Sequence, residues 1–199
     1  MSQEHSFANP GPCGLGALAV ACFTFFALLT GKVGHDAYPI LAAWLIGGFV
    51  CQLTTGLIEL KDHNLVGGNV FTFFAAFFML TTAIRIATAY GLEVSGYHFD
   101  ARINGWAWLA GAAFLIAVTP NYLKSSKLFF FLVVLVDIAL VCLVPVDMKL
   151  TNLPLSILAQ TAGWSLFIAG WIGIYLIAAV TMNTHYAKQI LPIAKPFVS

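Results

Sequence analysis

The sequence predicts an all-α membrane protein: six transmembrane helices in one bundle, with both termini expected on the cytoplasmic side. Three observations carry that prediction. Six apolar stretches follow one another along the chain, each near the ~20 mostly apolar residues that a bilayer-spanning helix needs. Turn-forming and charged residues separate each stretch from the next. Of the 199 residues, 60% are hydrophobic and 9% charged, whereas a soluble domain carries about a quarter charged residues. So short a chain has too little interior to hide that much apolar surface from water, and the excess is predicted to face lipid.

The first span is expected over residues 14–30, ahead of Gly31-Lys32-Val33-Gly34. Before it, Ala8-Asn9-Pro10-Gly11-Pro12-Cys13-Gly14-Leu15 holds two prolines and two glycines, which predict a non-helical lead-in over residues 1–13. The second span covers residues 38–60 and stops at Lys61-Asp62-His63-Asn64. The third, residues 66–90, is rich in phenylalanine, and the fourth, residues 103–118, is halted by Thr119-Pro120-Asn121. The fifth, residues 128–144, precedes a loop expected over Pro145-Val146-Asp147-Met148-Lys149. The sixth covers residues 154–182, with Pro154 at its start, where a missing N–H costs nothing. The spans thus form one domain, residues 14–182, followed by a tail at 183–199. All six are predicted to be helical, because backbone groups in hydrocarbon must bond within their own segment.

Loop cations set the expected orientation. Lys61, Lys124, Lys127, Lys188 and Lys195 lie on the N-terminal side, against Lys32, Arg102 and Lys149 on the other. The positive-inside rule then places both termini inside. The first residues lack the basic start of a cleavable signal peptide, so the first span is expected to act as its own insertion signal. A net charge of +1 argues against a nucleic-acid partner. No P-loop, HExxH or nucleophile elbow is present, so neither catalysis nor ATP hydrolysis is expected. Histidines fall only in loops and tails, which argues against haem in the bundle. The four cysteines lack CxxC spacing, and neither metal nor cofactor is expected.

Ionisable and polar groups at membrane depth are costly and mark candidate sites. Asp137 lies mid-span. It reads either as a protonatable group lining a solute path or as a structural partner for Arg85 or a neighbouring helix. Arg85 reads as a residue snorkelling to the interface or as a cation that attracts an anionic solute. Glu59 is placed near a mouth, with Gln52 and Thr55 deeper in the same span, where they either bond a solute or join helices.

The lead-in motif resembles the Asn-Pro-Ala-Pro-Leu-Gly-Leu signature of the acetate uptake transporter family, which includes bacterial succinate–acetate permeases and fungal acetate and ammonia-export proteins. Gly56-Leu57-Ile58-Glu59, then Asn64, Gly67, Phe71 and Thr72, are similar to further family segments, as are Ala162-Gly163-Trp164 and the tail residues Asn183 and Leu191-Pro192-Ile193. The resemblance implies a six-helix channel or proton-coupled permease for acetate and related short carboxylates, succinate included. It also implies a homo-hexamer in the inner or plasma membrane. By position it assigns an apolar constriction to Leu18, Phe74 and Val136, where relatives carry Phe, Tyr and Leu. Asn9, Gln52, Thr55, Glu59, Asn64 and Thr72 become candidate polar groups along the path, and Asp137 a candidate proton site. An ammonia or other small-solute channel and a non-transporting structural subunit are the alternatives.

Overall fold

A computed structural model describes residues 7–149 and 155–198. Residues 1–6 of the lead-in and Pro154 lie outside the described residues. Six helices are long and apolar enough to cross a membrane: α1 Gly11–Leu29, α2 Tyr38–Lys61, α3 Leu65–Val94, α4 Ile103–Val118, α5 Lys127–Met148 and α6 Leu155–His185. No strand occurs among the described residues.

Pro12 and Pro145 lie within helices where the sequence predicted none, whereas the α-helix of the fourth span ends at Val118 ahead of Pro120, as expected. A helix leaves its first N–H groups without internal partners, so proline is harmless in a first turn. Accordingly α1 begins at Gly11, inside the expected lead-in, with Pro10 at its cap and Pro12 in its first turn. Pro120 sits likewise at the start of a tight 3-10 turn, Thr119–Lys124, which prolongs α4 and buries Tyr122. Pro145 lies within the last turn of α5, so the loop expected at residues 145–149 is instead helical through Met148. There the missing N–H removes a single bond near the end of a long ladder.

The middle of α3 is wound as a π-helix over Ala75–Thr81. Its wider turn leaves carbonyls that side chains bond five residues back. Thr81 Oγ1 donates to the Ala76 carbonyl at 2.9 Å, and Thr82 Oγ1 to that of Phe77 at 3.2 Å.

The helices form a ring in the order α3, α2, α1, α6, α5, α4. Glycines permit its closest approaches, as expected where lipid gives no hydrophobic drive for helix association. A Cβ at Gly170 of α6 would stand 2.8 Å from Phe23 Cε1 of α1. Between α4 and α3 the ring is closed by aromatic side chains: Phe73 stacks on Phe114 at 4.1 Å, and Phe78 meets Trp108 edge-on at 5.7 Å. Trp44, Val50, Trp106 and Trp171 point outward as part of a broad exposed apolar surface.

One end of the bundle gathers both described ends of the chain with the α2–α3 and α4–α5 turns. Here Asn183 Oδ1 accepts from the Ile190 and Leu191 amides, and the Phe197 amide bonds the Leu123 carbonyl at 3.1 Å. At the opposite end Asp100 accepts from the Arg102 guanidinium at 2.7 Å, which holds its carboxyl down at about 2.

Candidate functional site

Three cavities share wall residues, the third opening at the outer face beside the exposed Phe77. At the terminal end a vestibule of about 530 Å³ is lined by Asn9, Glu59, Asn64, Lys124 and Ser126. Next comes a central cavity of about 50 Å³, with Leu18, Gln52, Phe74 and Val136 in its wall. The third, of about 230 Å³, is bounded by Phe73, Phe74, Phe77, Phe78 and Trp108 and carries Arg85 and Asn104. Leu15, Phe71, Tyr122 and Phe129 belong to both the vestibule and the central cavity. Among the described residues Phe74 is the one that lines both the central cavity and the third.

Each side chain is set by the element that carries it. Gly14 lets α1 close onto α2 and α3, since a Cβ there would lie 2.5 Å from Phe71 Cε1 and 2.9 Å from Thr55 Cγ2. That approach brings Leu18, one turn further along α1, to the central cavity. Phe74 is the last residue before the π segment, and Val136 faces it from α5. A water needs roughly 10–15 Å³ of accessible volume, so the central cavity holds a few waters or one small solute.

Gln52 supplies the polarity in this apolar waist. It is 1% exposed, and its Oε1 has no hydrogen-bond partner among the described residues. An unpaired buried polar group costs about 1–3 kcal/mol, so a solute O–H or N–H entering the cavity meets an unfilled acceptor.

At the vestibule, Asn64 caps α3 by accepting from the Gly67 amide at 3.1 Å and turns its Nδ2 onto Glu59 Oε2. Asn9 Oδ1 accepts from the Gly11 amide at 2.9 Å, starting α1 while lining the same space. Lys124 places a cation opposite Glu59.

Other expected residues are placed off these cavities. Thr55 Oγ1 donates to the Pro10 carbonyl at 3.3 Å and ties the lead-in to α2. Thr72 Oγ1 donates to Gly68 of its own helix at 2.7 Å. Asp137 turns toward the end of α4, where Thr119 Oγ1 donates to its Oδ2 at 2.7 Å. Its buried Oδ1 has no partner among the described residues. Arg85 does not pair with it; it lines the third cavity instead.

Tyr122 escaped the sequence reading. It stacks on Phe129 at 5.2 Å, is 5% exposed, and stands between vestibule and waist. The available signal was Pro120, which read as a stop but permits the tight turn that buries the tyrosine. Among the described residues no group of three His, Cys, Asp or Glu side chains comes together to hold a metal.

The arrangement is a narrow apolar waist with one free amide, opening at each side into wider space that carries a cation. Such a neck passes small solutes that shed most of their water and resists bulk flow.

Comparison with known proteins returns consistent relatives. The model of the GPR1/FUN34/yaaH family matches residues 1–195. The succinate-acetate/proton symporter SatP of Escherichia coli is 26% identical over 190 residues, covering 94% of this chain and 96% of its own. Ammonia transport outward protein 2 of Saccharomyces cerevisiae is 26% identical, covering 96% of this chain and 68% of its own. Acetate permease A of Emericella nidulans is 29% identical over 154 residues, covering 71% and 50%. Among solved structures, that of the bacterial acetate channel SatP matches with a TM-score of 0.81 at 24% identity, covering 94% of this chain and 99% of that one.

Proposed function

Because this chain belongs to the GPR1/FUN34/yaaH family, we propose that it conducts acetate and related short carboxylates, succinate among them, across the membrane that its six helices span. The observation that carries this reading is the set of wall-sharing cavities narrowing to a 50 Å³ waist.

The mechanism follows from charge and solvation. A carboxylate reaching the vestibule is attracted by Lys124 and kept hydrated by Asn9, Asn64 and Ser126. At Leu18, Phe74 and Val136 it loses water, and the Nε2 donors of Gln52 replace part of that shell, while Oε1 is left to accept from a protonated acid. Beyond Phe74 the aromatic cavity receives the apolar end, and Arg85 draws the charge onward. Transport coupled to protons, as the name of the E. coli relative states for that protein, needs a group that gains and loses one. Asp137 is the proposed site: a carboxyl in a spanning helix with one oxygen held by Thr119 and one free. A homo-oligomer, by family resemblance a hexamer, in the inner or plasma membrane with both termini cytoplasmic completes the proposal.

The test is uptake of labelled acetate into proteoliposomes of the purified protein, with and without an inward proton gradient. Gradient-stimulated uptake supports a permease, and equal uptake in both conditions supports a passive channel. Absence of acetate uptake together with methylammonium flux would replace the carboxylate reading by the ammonia one, which has a named yeast relative.

A further inference from the structure

We propose that Arg85 and Asn104 form a carboxylate-capture site at the mouth remote from the termini. This deepens the transport reading and rests on it.

The chain has two arginines, and they differ in what they touch. Arg102 is committed to Asp100, which accepts from both its backbone amide and its guanidinium. Arg85 has no carboxylate within ion-pairing distance among the described residues, and no hydrogen bond there engages its guanidinium. It lies in the last third of α3, beside Asn104 in the first turn of α4, near the end of the bundle where an arriving solute would meet it. Arg85 and Asn104 line the aromatic cavity and also a second, outer space of about 210 Å³ that reaches Phe99 and Asp100. These two side chains therefore form the threshold between the outer space and the cavity that leads to Phe74.

The chemistry suits one ligand class. A guanidinium offers two parallel N–H donors spaced for the two oxygens of a carboxylate, and the Asn104 amide adds a neutral donor beside them. The Phe77, Phe78 and Trp108 faces accept the apolar remainder of the anion.

Phenylglyoxal modification of the purified, detergent-solubilised protein, read by mass spectrometry at Arg85 and Arg102, tests the site without any transport. Potassium acetate should slow labelling of Arg85 several-fold more than potassium chloride at equal ionic strength, and leave Arg102 unchanged. Equal protection by the two salts, or none, would overturn the site. In proteoliposomes Arg85→Gln should raise the acetate concentration for half-maximal flux about tenfold or more, the scale of losing a charge-assisted hydrogen bond. Maximal flux should be retained, and Arg85→Lys should fall between. An unchanged half-saturation concentration in a correctly folded Arg85→Gln protein would equally refute the proposal. If acetate protects Arg85 but the wild-type protein moves no acetate, the transport reading fails and the capture site stands.

Discussion

Phe74→Ala should convert the narrowest point of the path into a continuous passage. Phe74 is 5% exposed, and among the described residues it alone lines both the 50 Å³ central cavity and the 230 Å³ aromatic one. Removing it merges the two, so a carboxylate in transit keeps at least one more water. A hydrogen bond to a charged group contributes about 1.5–3 kcal/mol. Taking the lower figure, the barrier at the waist falls enough to speed flux about tenfold, since each 1.36 kcal/mol is a factor of ten in rate. Size selection should relax in parallel, with butyrate gaining more than acetate. The assay is counterflow of labelled acetate and butyrate in proteoliposomes, alongside thermal unfolding to follow the cost of a Phe→Ala cavity, ~3–5 kcal/mol in well-packed cores. Acetate flux unchanged or reduced in a folded protein would refute the idea that Phe74 limits passage.

Further expectations follow from the same geometry. Gln52→Ala should cut acetate flux about five- to tenfold while leaving assembly intact, because the waist then loses its amide donors for a solute that has shed water; normal flux in a folded protein would remove that role. Asp137→Asn should abolish stimulation by an inward proton gradient and spare gradient-independent flux. Stimulation that persists in this variant would take proton coupling away from Asp137. Gly170→Val should lower thermal stability by about 1–3 kcal/mol, the usual cost of overpacking, because its Cβ meets Phe23 at 2.8 Å and Cys22 at 3.1 Å. Unaltered unfolding would show that α1 and α6 can separate without loss.

The six spans were legible because lipid imposes a simple requirement, a long apolar run with no internal polar backbone left unmet. The element ends were less so, since a proline reads as a stop but is tolerated in the first or last turn, as Pro12 and Pro145 show. Depth was readable and facing was not. Asp137 was visible as a mid-span acid, but its rotation toward Thr119 depends on how α5 sits against α4. Thr55 and Thr72 read as polar groups for a solute, yet hydroxyls find backbone carbonyls first, here those of Pro10 and Gly68. Leu18, Phe74 and Val136 are ordinary apolar residues taken singly. Only position within a resembling pattern singled them out, and only three-dimensional packing brings them to one cavity wall.

The π segment of α3 makes the two halves of that helix answer to different constraints. Val70 and Phe71, before the wide turn, line the waist and Phe74 lines both spaces, whereas Phe78, Thr82 and Arg85, beyond or within the turn, line the far cavity. Each residue of a regular helix advances the face by about 100°, so the angular offset between the halves is stored as residue count rather than as side-chain identity. Loss of a single residue between 75 and 81 would let the segment relax to an ordinary α-helix and swing Arg85 off the cavity without altering any residue of the waist. Point substitutions would tune this path gradually, whereas a one-codon deletion would rephase half of it in a single step.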